Sequence, residues 1–348
     1  MTHQLLFASQ LPLIQAPMAG VQDWRLAAAV SNAGGLGSLP AGMLDANGLH
    51  QQLTALSQAT TQPYNVNFFC HTSPASNPSA MQTWADTLAP YFQELGEPVP
   101  TPPATPSRQP FDAASAEVLE AFRPAVVSFH YGLPSRALLN HIKGWGGTVL
   151  SSATTVDEAR WLAANGADGI IAQGWEAGGH RGHFLSDDLS LQQGTFSLLP
   201  QIVEAVSLPV IAAGGIASPQ AARAALTLGA SAVQAGTCYL LCPQATTKPI
   251  HRQWLQSERG RHTAVTNVFS GRPARGMVNR LIRELGPISV QAPAFPLAGN
   301  LTNPLRTLAE NHGSGEFSPL WAGENVTGCR DMDAGALTLW LMGQDSQH

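Results

Sequence analysis

The stretch LPVIAAGGIASPQAARAALTLGASAVQAGT, residues 208–237, contains the pattern that decides the fold. A short apolar run ends at two glycines, an alanine-rich segment follows, and a second apolar run ends at Ala-Gly-Thr. Ser218 is a suitable cap for the alanine-rich segment and Pro219 suits the first helical position, so this segment is predicted to be a helix. A strand, a helix and a second strand in this order are typical of a parallel sheet.

The same alternation runs through most of the chain. A second helix is predicted at 23–34, with Asp23 as its cap and Gly34 and Gly35 at its end. Eight strands separated by helices favour a TIM (β/α)8 barrel of the α/β class. A doubly wound open sheet is the competing fold, but no GxGxxG motif follows the first strand, and polar residues end several different strands. The eight predicted strands are 11–17, 35–40, 64–69, 125–130, 147–153, 166–174, 208–215 and 230–240.

Two segments interrupt this alternation. The proline-rich stretch at 97–110 predicts an extended surface connection. About a hundred residues follow the eighth predicted strand, which is more than one closing helix needs. We therefore expect residues 1–243 and about 310–348 to form the barrel, and about 244–309 to form a smaller domain on the substrate side. The apolar spacing at 331–343 predicts a helix that returns to the barrel.

Composition limits the classes of function. The chain is 44% hydrophobic and only 12% charged, which indicates a globular protein with a large core. A net charge of −5 provides no basic surface for nucleic acid or for an anionic membrane. No basic leader segment or apolar run of bilayer length is present, so we predict no membrane partner and a cytoplasmic location. The four cysteines form no CxxC pair and are expected to be reduced.

The ends of the last two predicted strands suggest a phosphate site. In a TIM barrel the carboxyl ends of the strands face the active site. Gly214 and Gly215 follow the seventh strand, and Gln234, Ala235, Gly236 and Thr237 end the eighth. Glycine-rich backbone there offers accessible N–H groups, so a ligand bearing phosphate is predicted. The alternative is that these glycines only form tight turns.

A second glycine-rich loop, QGWEAGGHRGH at 173–183, follows the sixth predicted strand. Gly178 and Gly179 allow the backbone to approach a flat or anionic ligand closely. His180 either contacts the ligand or holds the loop through backbone hydrogen bonds. His180 and His183 lack the spacing and carboxylate partners of a known metal motif, so no metal site is predicted.

His130 ends the fourth predicted strand, in VVSFHYGLPS at 126–135. The two lysines, Lys143 and Lys248, do not end predicted strands, which argues against Schiff-base chemistry. No pair of carboxylates ends the strands as a glycosidase would require. A bound cofactor that performs the redox step therefore fits best, with His130 moving one proton near neutral pH. The alternative is that His130 is a packing residue.

Seven motifs together resemble the nitronate monooxygenase family, formerly called 2-nitropropane dioxygenases, which are FMN-dependent TIM barrels. The similarity extends from about residue 11 to the tail, and the ordered set is more specific than any one glycine loop. The motifs are QAPMAG (15–20), VNFF (66–69), VVSFHYGLPS (126–135), QGWEAGGHRG (173–182), AAGGI (212–216), QAGT (234–237) and FSGRPARG (269–276).

The resemblance implies a set of site residues. His130 matches the active-site histidine of the family. Phe295 lies in a region where some relatives have tyrosines that line the pocket, which leaves the shape of the substrate open. Residues implied to bind FMN are Met18, through its backbone, and Asn67, Gln173, Gly178, Gly215, Gln234, Ala235, Gly236 and Thr237; Gly179 and Gly214 join them from the loop pattern.

The implied reaction is the oxidation of alkyl nitronates of the propionate 3-nitronate type by O2, through a flavin semiquinone, to a carbonyl compound and nitrite. An NAD(P)H-dependent FMN reductase of the enoyl-acyl-carrier or quinone type is the second possibility. Such enzymes share the glycine loops but not a histidine at the position of His130. A non-catalytic barrel that binds FMN or another phosphate ligand is the third. The expected partners are the small nitronate and O2, and the chain could be a monomer or a homodimer.

Overall fold

The computed structural model describes residues 9–75, 77–102 and 108–344. In chain order, its strands are β1 (Leu13–Gln15), β2 (Gly37–Pro40), β3 (Tyr64–Phe69), β4 (Val126–His130), β5 (Thr148–Ala153), β6 (Gly169–Gln173), β7 (Gly179–His180), β8 (Val210–Ala213), β9 (Ala232–Ala235), β10 (Thr263–Thr266) and β11 (Ala274–Met277). The α-helices are α1 (Trp24–Asn32), α2 (Ala46–Ala59), α3 (Pro78–Glu94), α4 (Ala113–Phe122), α5 (Arg136–Gly144), α6 (Val156–Asn165), α7 (Thr195–Ala205), α8 (Pro219–Thr227), α9 (Pro249–Leu255), α10 (Arg280–Leu285), α11 (Gly299–Asn311) and α12 (Ala334–Leu341).

Eight parallel strands form the barrel, in the order β1-β9-β8-β6-β5-β4-β3-β2. The sheet closes between β1 and β2, because the Gln15 N–H donates to the Leu36 carbonyl and the Leu36 N–H donates to the Leu13 carbonyl, both at 2.9 Å. Each of the eight predicted strands contains one barrel strand, and the predicted TIM barrel is confirmed.

The two predicted helix caps are also confirmed. An Asp23 carboxylate oxygen accepts from the Arg25 N–H at 2.9 Å at the start of α1. The Ser218 hydroxyl accepts from the Ala221 N–H at 3.2 Å at the start of α8. Both caps satisfy N–H groups that have no partner inside the helix, so both helices begin at the positions that the sequence indicates.

Two of the buried clusters to which the barrel strands contribute lie on opposite faces of the sheet. One cluster includes Ile14, Leu150 and Ile211, and the other includes Leu13 and Ile170. Successive side chains on a strand point to opposite faces, so the first cluster fills the barrel interior and the second packs beneath the helices. The strands are buried on both faces, as parallel sheets usually are.

The predicted tail helix is confirmed as α12. It packs on α1 and α8, with Leu337 and Leu341 fully buried in the core beneath the barrel helices. The hydroxyl groups of Tyr239 and Thr338 form a buried hydrogen bond of 2.8 Å. The chain therefore returns to the barrel after the segments that follow β9.

A small antiparallel sheet, which the sequence did not predict, joins the loop after β6 to a later part of the chain. In this sheet β11 pairs with both β10 and β7. Ala274 pairs with His180, and Arg275 pairs with Gly179. The motifs AGGHRG and FSGRPARG, about ninety residues apart, are therefore neighbouring strands.

A third buried cluster involves α3, α10 and α11. It contains Trp84 from α3, Leu281 from α10, and Leu301 and Leu305 from α11. The segment at 244–309 thus packs against a helix that precedes β4. Its assignment as a separate smaller domain stays a prediction.

The proline-rich segment is described only in part, because residues 103–107 lie outside the described residues. Its described positions, 97–102 and 108–110, contain no helix or strand. Over the described ranges, no helix is long and apolar enough to cross a membrane.

Glu158 ties the loop after β7 to the start of α6. Its carboxylate is buried, and one oxygen accepts from the N–H and the hydroxyl of Thr154, at 2.7 and 2.8 Å. The other oxygen accepts from the Phe184 N–H at 2.6 Å. The Leu185 N–H also donates to this second oxygen, at 3.3 Å, so a single carboxylate satisfies four donors from two separate segments.

We predict that Glu158→Ala lowers the free energy of unfolding by about 3 kcal/mol, because buried donors would lose their acceptor. Asp157→Ala is the matched control, because it removes the same charge from the same helical turn at an exposed position. The control should cost less than about 0.5 kcal/mol. Urea unfolding measures both variants, and equal losses would contradict this role for Glu158.

Candidate active site

A cavity at the carboxyl ends of the barrel strands brings together most of the predicted site residues. Ala235 does not line it, because its side chain is buried within β9. Phe295 lines an adjoining cavity and packs edge-on against His180, with 5.5 Å between ring centroids. The predicted residues that line the main cavity are Met18, Asn67, His130, Gln173, Gly178, Gly179, His180, Gly214, Gly215, Gln234, Gly236 and Thr237.

One side of the cavity presents free backbone donors after β8 and β9. Within the described residues, no acceptor is found for the N–H groups of Gly215, Ile216, Ala217, Gly236 and Thr237. All five residues line the cavity. Convergent backbone N–H groups bind anions such as phosphate, so this side fits the phosphate-bearing ligand expected from the sequence.

Two further observations on this side fit a bound ligand. Gly214 has φ +120°, and a Cβ there would lie 2.6 Å from the Thr195 hydroxyl oxygen, so the turn requires glycine. Gln234 lines the cavity, and its Oε1 is buried without a hydrogen-bond partner among the described residues. An unpaired buried amide oxygen is costly unless a ligand donates to it.

A buried arginine shapes the loop after β6. Arg181 donates to the carbonyls of Gly174 and Gln173, at 2.7 and 3.0 Å, and to the side-chain oxygen of Gln192 at 2.7 Å. Burial and the nearby charge of Arg275 lower the pKa of Arg181 to about 9. The sequence showed this arginine in the loop, but its supporting role depends on contacts that only the fold creates.

His130 is held at both ring nitrogens. Nδ1 lies 3.0 Å from the Ser152 hydroxyl, and Nε2 lies 3.0 Å from the His180 carbonyl. A carbonyl only accepts hydrogen bonds, so Nε2 has the hydrogen and Nδ1 accepts from Ser152. Burial, reinforced by the charge of Arg272, lowers the pKa of His130 to about 3. The structure therefore argues against the expectation that His130 titrates near neutral pH.

His180 has a different environment. Its Nε2 lies 2.8 Å from the hydroxyl of Ser270, a residue of the FSGRPARG motif. Its Nδ1 has no partner in the part of the chain that the structure describes. Burial and then the charge of Arg108 lower its pKa well below the usual range. His180 therefore offers a neutral imidazole with one nitrogen free for a ligand.

Aromatic rings and cations surround the two histidines. Arg108 lies over the rings of Phe69 and Phe295, at 5.8 and 5.5 Å from their centroids. Arg272 lies 4.1 Å from the centroid of Tyr131. Of these residues, sequence reasoning singled out only Phe295. It gave no role to Arg108, which belongs to the proline-rich segment, or to Phe69, Tyr131 and Arg272, which it quoted only as parts of motifs.

Comparison with known proteins gives one consistent result. The sequence model of a family described as nitronate monooxygenase matches residues 3–335. A nitronate monooxygenase of Pseudomonas aeruginosa is 40% identical, covering 97% of this chain and 97% of the relative. A nitronate monooxygenase of Paraburkholderia phytofirmans is also 40% identical, covering 95% of this chain and 91% of the relative.

Two solved structures are also similar to this chain. A nitroalkane oxidase from Streptomyces ansochromogenes has a TM-score of 0.88 at 38% identity, covering 97% of this chain and 96% of the other. FabK from Thermotoga maritima has a TM-score of 0.71 at 26% identity, covering 96% and 92%.

The buried histidines predict how stability depends on pH. Burial lowers the pKa values of both His130 and His183 to about 3, from an ordinary value of 6.5. Below about pH 6.5, the unfolded chain binds protons that the folded protein does not bind. Stability is therefore highest above pH 6.5 and is lost as the pH falls toward 3, by about 1.4 kcal/mol per pH unit for each histidine.

We predict that the melting temperature falls between pH 7 and pH 5, and that His183→Asn makes this fall less steep. His183 is 2% exposed, and its contact with Asp187 is long, at 3.6 Å, so the substitution removes a titrating group with little loss of bonding. Calorimetry at three pH values measures the slope. The same slope in the variant would contradict the assignment of His183 as a buried neutral group.

Proposed function

The chain belongs to the nitronate monooxygenase family, and on that premise we propose that it uses bound FMN and O2 to oxidise alkyl nitronates to carbonyl compounds and nitrite. The main support is the arrangement of the cavity, where free backbone donors lie on one side and two neutral imidazoles among cations lie on the other. The first side suits a phosphate-bearing cofactor, and the second suits a small anion.

The residues of the cavity fit FMN. We propose that the N–H groups after β8 and β9 hold the phosphate, and that Gln234, Asn67 and Gln173 contact the flavin, with the backbone of Met18 against the ring. Gly178 packs against Gly323. A Cβ at position 178 would lie 2.5 Å from the backbone nitrogen of Gly323, so this close packing requires glycine. When bound, FMN supplies the electron acceptor for the substrate.

The chain itself provides the proton chemistry. Nδ1 of His180 is the free nitrogen, so we propose that it meets the substrate and accepts the proton when a neutral nitroalkane is used. The nitronate anion that forms beside the ring stabilises the imidazolium, which offsets the lowered pKa that His180 has in the empty cavity. His130 remains proposed as an active-site residue, where its Nε2–H fixes the His180 carbonyl and its Nδ1 orients Ser152. A nitronate has already lost that proton, so its oxidation depends less on either ring.

The fold alone does not distinguish this function from an NAD(P)H-dependent FMN reductase or from a binding protein without activity. The two histidines with depressed pKa values favour the monooxygenase, because hydride transfer from a nicotinamide to flavin needs no such pair. A cytoplasmic location and a monomeric or homodimeric state also stay predictions. The free cysteines agree with a reducing compartment.

Gly215 provides a test of the cofactor site. Gly215 and the exposed Gly96 have similar left-handed backbones, with φ +71° and +80°, and a Cβ would meet no atom closer than 3.9 Å at either position. We predict that Gly215→Ala and Gly96→Ala cost similar stability, about 1 kcal/mol. Only Gly215→Ala places a methyl group in the cavity, so only that variant should bind FMN at least about tenfold more weakly.

Flavin fluorescence during titration of the apoprotein measures the affinity of both variants. Unchanged FMN affinity in Gly215→Ala would contradict the proposed phosphate site. Equal weakening in both variants would indicate a general effect of strain.

Turnover tests the reaction and the histidine roles together. We predict nitrite release and O2 uptake with ethyl nitronate, and no oxidation of NADH or NADPH. His180→Asn should lower kcat/KM for neutral nitroethane by about 100-fold and for ethyl nitronate by less than about tenfold, because only the neutral substrate must lose a proton. His130→Asn, which keeps a donor for the His180 carbonyl, should retain more activity than His130→Ala. Equal losses on both substrates in His180→Asn would contradict its role as the proton acceptor.

A further inference from the structure

We propose that Arg108 binds a carboxylate at the far end of the substrate, so that the enzyme prefers acidic nitronates to nitronates with an uncharged tail. This inference rests on the proposed function, because it concerns the same cavity. It assigns a specificity-determining role to a residue whose segment had no function in the sequence analysis.

Arg108 connects two cavities. It lines the main cavity with the histidines, and it also lines the adjoining cavity with Phe295, Lys248 and Arg306. A side chain at this junction can reach a ligand that extends out of the main cavity. The substrate tail is the part of the ligand that would extend in this direction.

Arg108 is the cation of this junction that lacks an anionic partner. Lys248 and Arg306 both pair with Glu310, with nitrogen-to-oxygen distances of 2.5 and 2.9 Å. Arg108 has no ion pair and no side-chain hydrogen bond over the described ranges of the chain. Burial lowers the pKa of its guanidinium, which indicates a charge that is poorly solvated. An unpaired cation in that position gains from a bound anion.

The aromatic contacts orient the guanidinium. It lies over both Phe69 and Phe295. A cation–π contact at these distances uses none of the guanidinium N–H groups as donors to oxygen, so they remain available, and the edge of the planar group matches the two oxygens of a carboxylate. A lysine could supply the charge there, but not the paired geometry.

The position of His180 limits the length of the tail. Its ring lies 6.4 Å from Phe69 and 5.5 Å from Phe295, between ring centroids. Arg108 and His180 therefore contact the same two rings. A substrate with its nitronate at His180 and its carboxylate at Arg108 needs only a short chain of carbons between the two groups.

The electrostatic surroundings also favour an anion with two charges. The pKa of His180 is lowered by burial and by Arg108 and Arg272, and no carboxylate acts against them. The same two arginines lower the pKa of His71, after burial as the main cause. A protein with a net charge of −5 thus keeps this end of its cavity positive.

The test compares two anions of similar shape in wild type and in Arg108→Gln. One is propionate 3-nitronate, and the other is the nitronate of 3-methyl-1-nitrobutane, in which an isopropyl group replaces the carboxylate. In Arg108→Gln we expect KM for propionate 3-nitronate to rise by roughly 10- to 100-fold, because one charged hydrogen-bonded contact is lost. Its kcat, and both constants for the isopropyl analogue, should change by less than about threefold.

Two further variants separate the geometry from the charge. Arg108→Lys keeps the charge without the fork and should recover only part of the affinity. Lys248→Gln removes a cation that lines the adjoining cavity but is already paired, and it should leave the KM of propionate 3-nitronate unchanged. FMN content and melting temperature, measured for each variant, show whether the site is intact.

Each outcome of these measurements supports or contradicts a specific claim. A loss confined to propionate 3-nitronate supports the inference. An equal loss on both substrates would mean that Arg108 binds the nitronate group or holds the loop. Equal effects of Arg108→Gln and Lys248→Gln would mean that only the overall positive potential of the cavity matters. Either result overturns the inference. If wild type oxidises the isopropyl analogue but shows no preference for the acid, the inference fails while the proposed function stands. If wild type oxidises neither nitronate, the proposed function itself fails.

Discussion

The antiparallel pairing of β7 with β11 is the interaction on which the site depends. This pairing fixes His180 opposite Ala274 and places Ser270 within hydrogen-bond distance of Nε2. The Arg181 N–H donates to the Pro273 carbonyl at 2.8 Å and continues the contact beyond the strand. These bonds restrain a loop whose glycines would otherwise give it extra conformational freedom.

The site is rigidly supported, and its buried charged groups are electrostatically unfavourable while the cavity is empty. Arg181 is fully buried and holds the loop through carbonyl groups, and His130 holds the same loop from β4 through the His180 carbonyl. Arginines and imidazoles lie close together here, and burial together with the charges of the arginines keeps the histidines neutral. Such an arrangement is costly for an empty protein and favourable once an anion binds, which is typical of functional sites.

The sequence predicted the barrel well because its signals are local. Strand and helix alternation, the Ser218 cap and the glycines at 214 and 215 each follow from a few neighbouring residues, and the structure has them where they were expected. The catalytic end was harder, because its contacts join distant segments. The pairing of β7 with β11, the two bonds of the His130 ring and the contacts of Arg108 with two aromatic rings all depend on the closed fold. The catalytic role of His130 stays a prediction, and the burial that lowers the pKa of its ring is a property that one sequence cannot reveal.

In the proposed function, electrons enter this enzyme from a nitronate and not from a nicotinamide. Anaerobic mixing of the purified holoenzyme with ethyl nitronate and, separately, with NADH and NADPH tests this claim most directly, with the absorbance of the bound flavin as the readout. We expect a rapid change in the flavin spectrum with the nitronate and none with either nicotinamide. Bleaching by NADH or NADPH, with no response to the nitronate, would contradict it and identify a reductase.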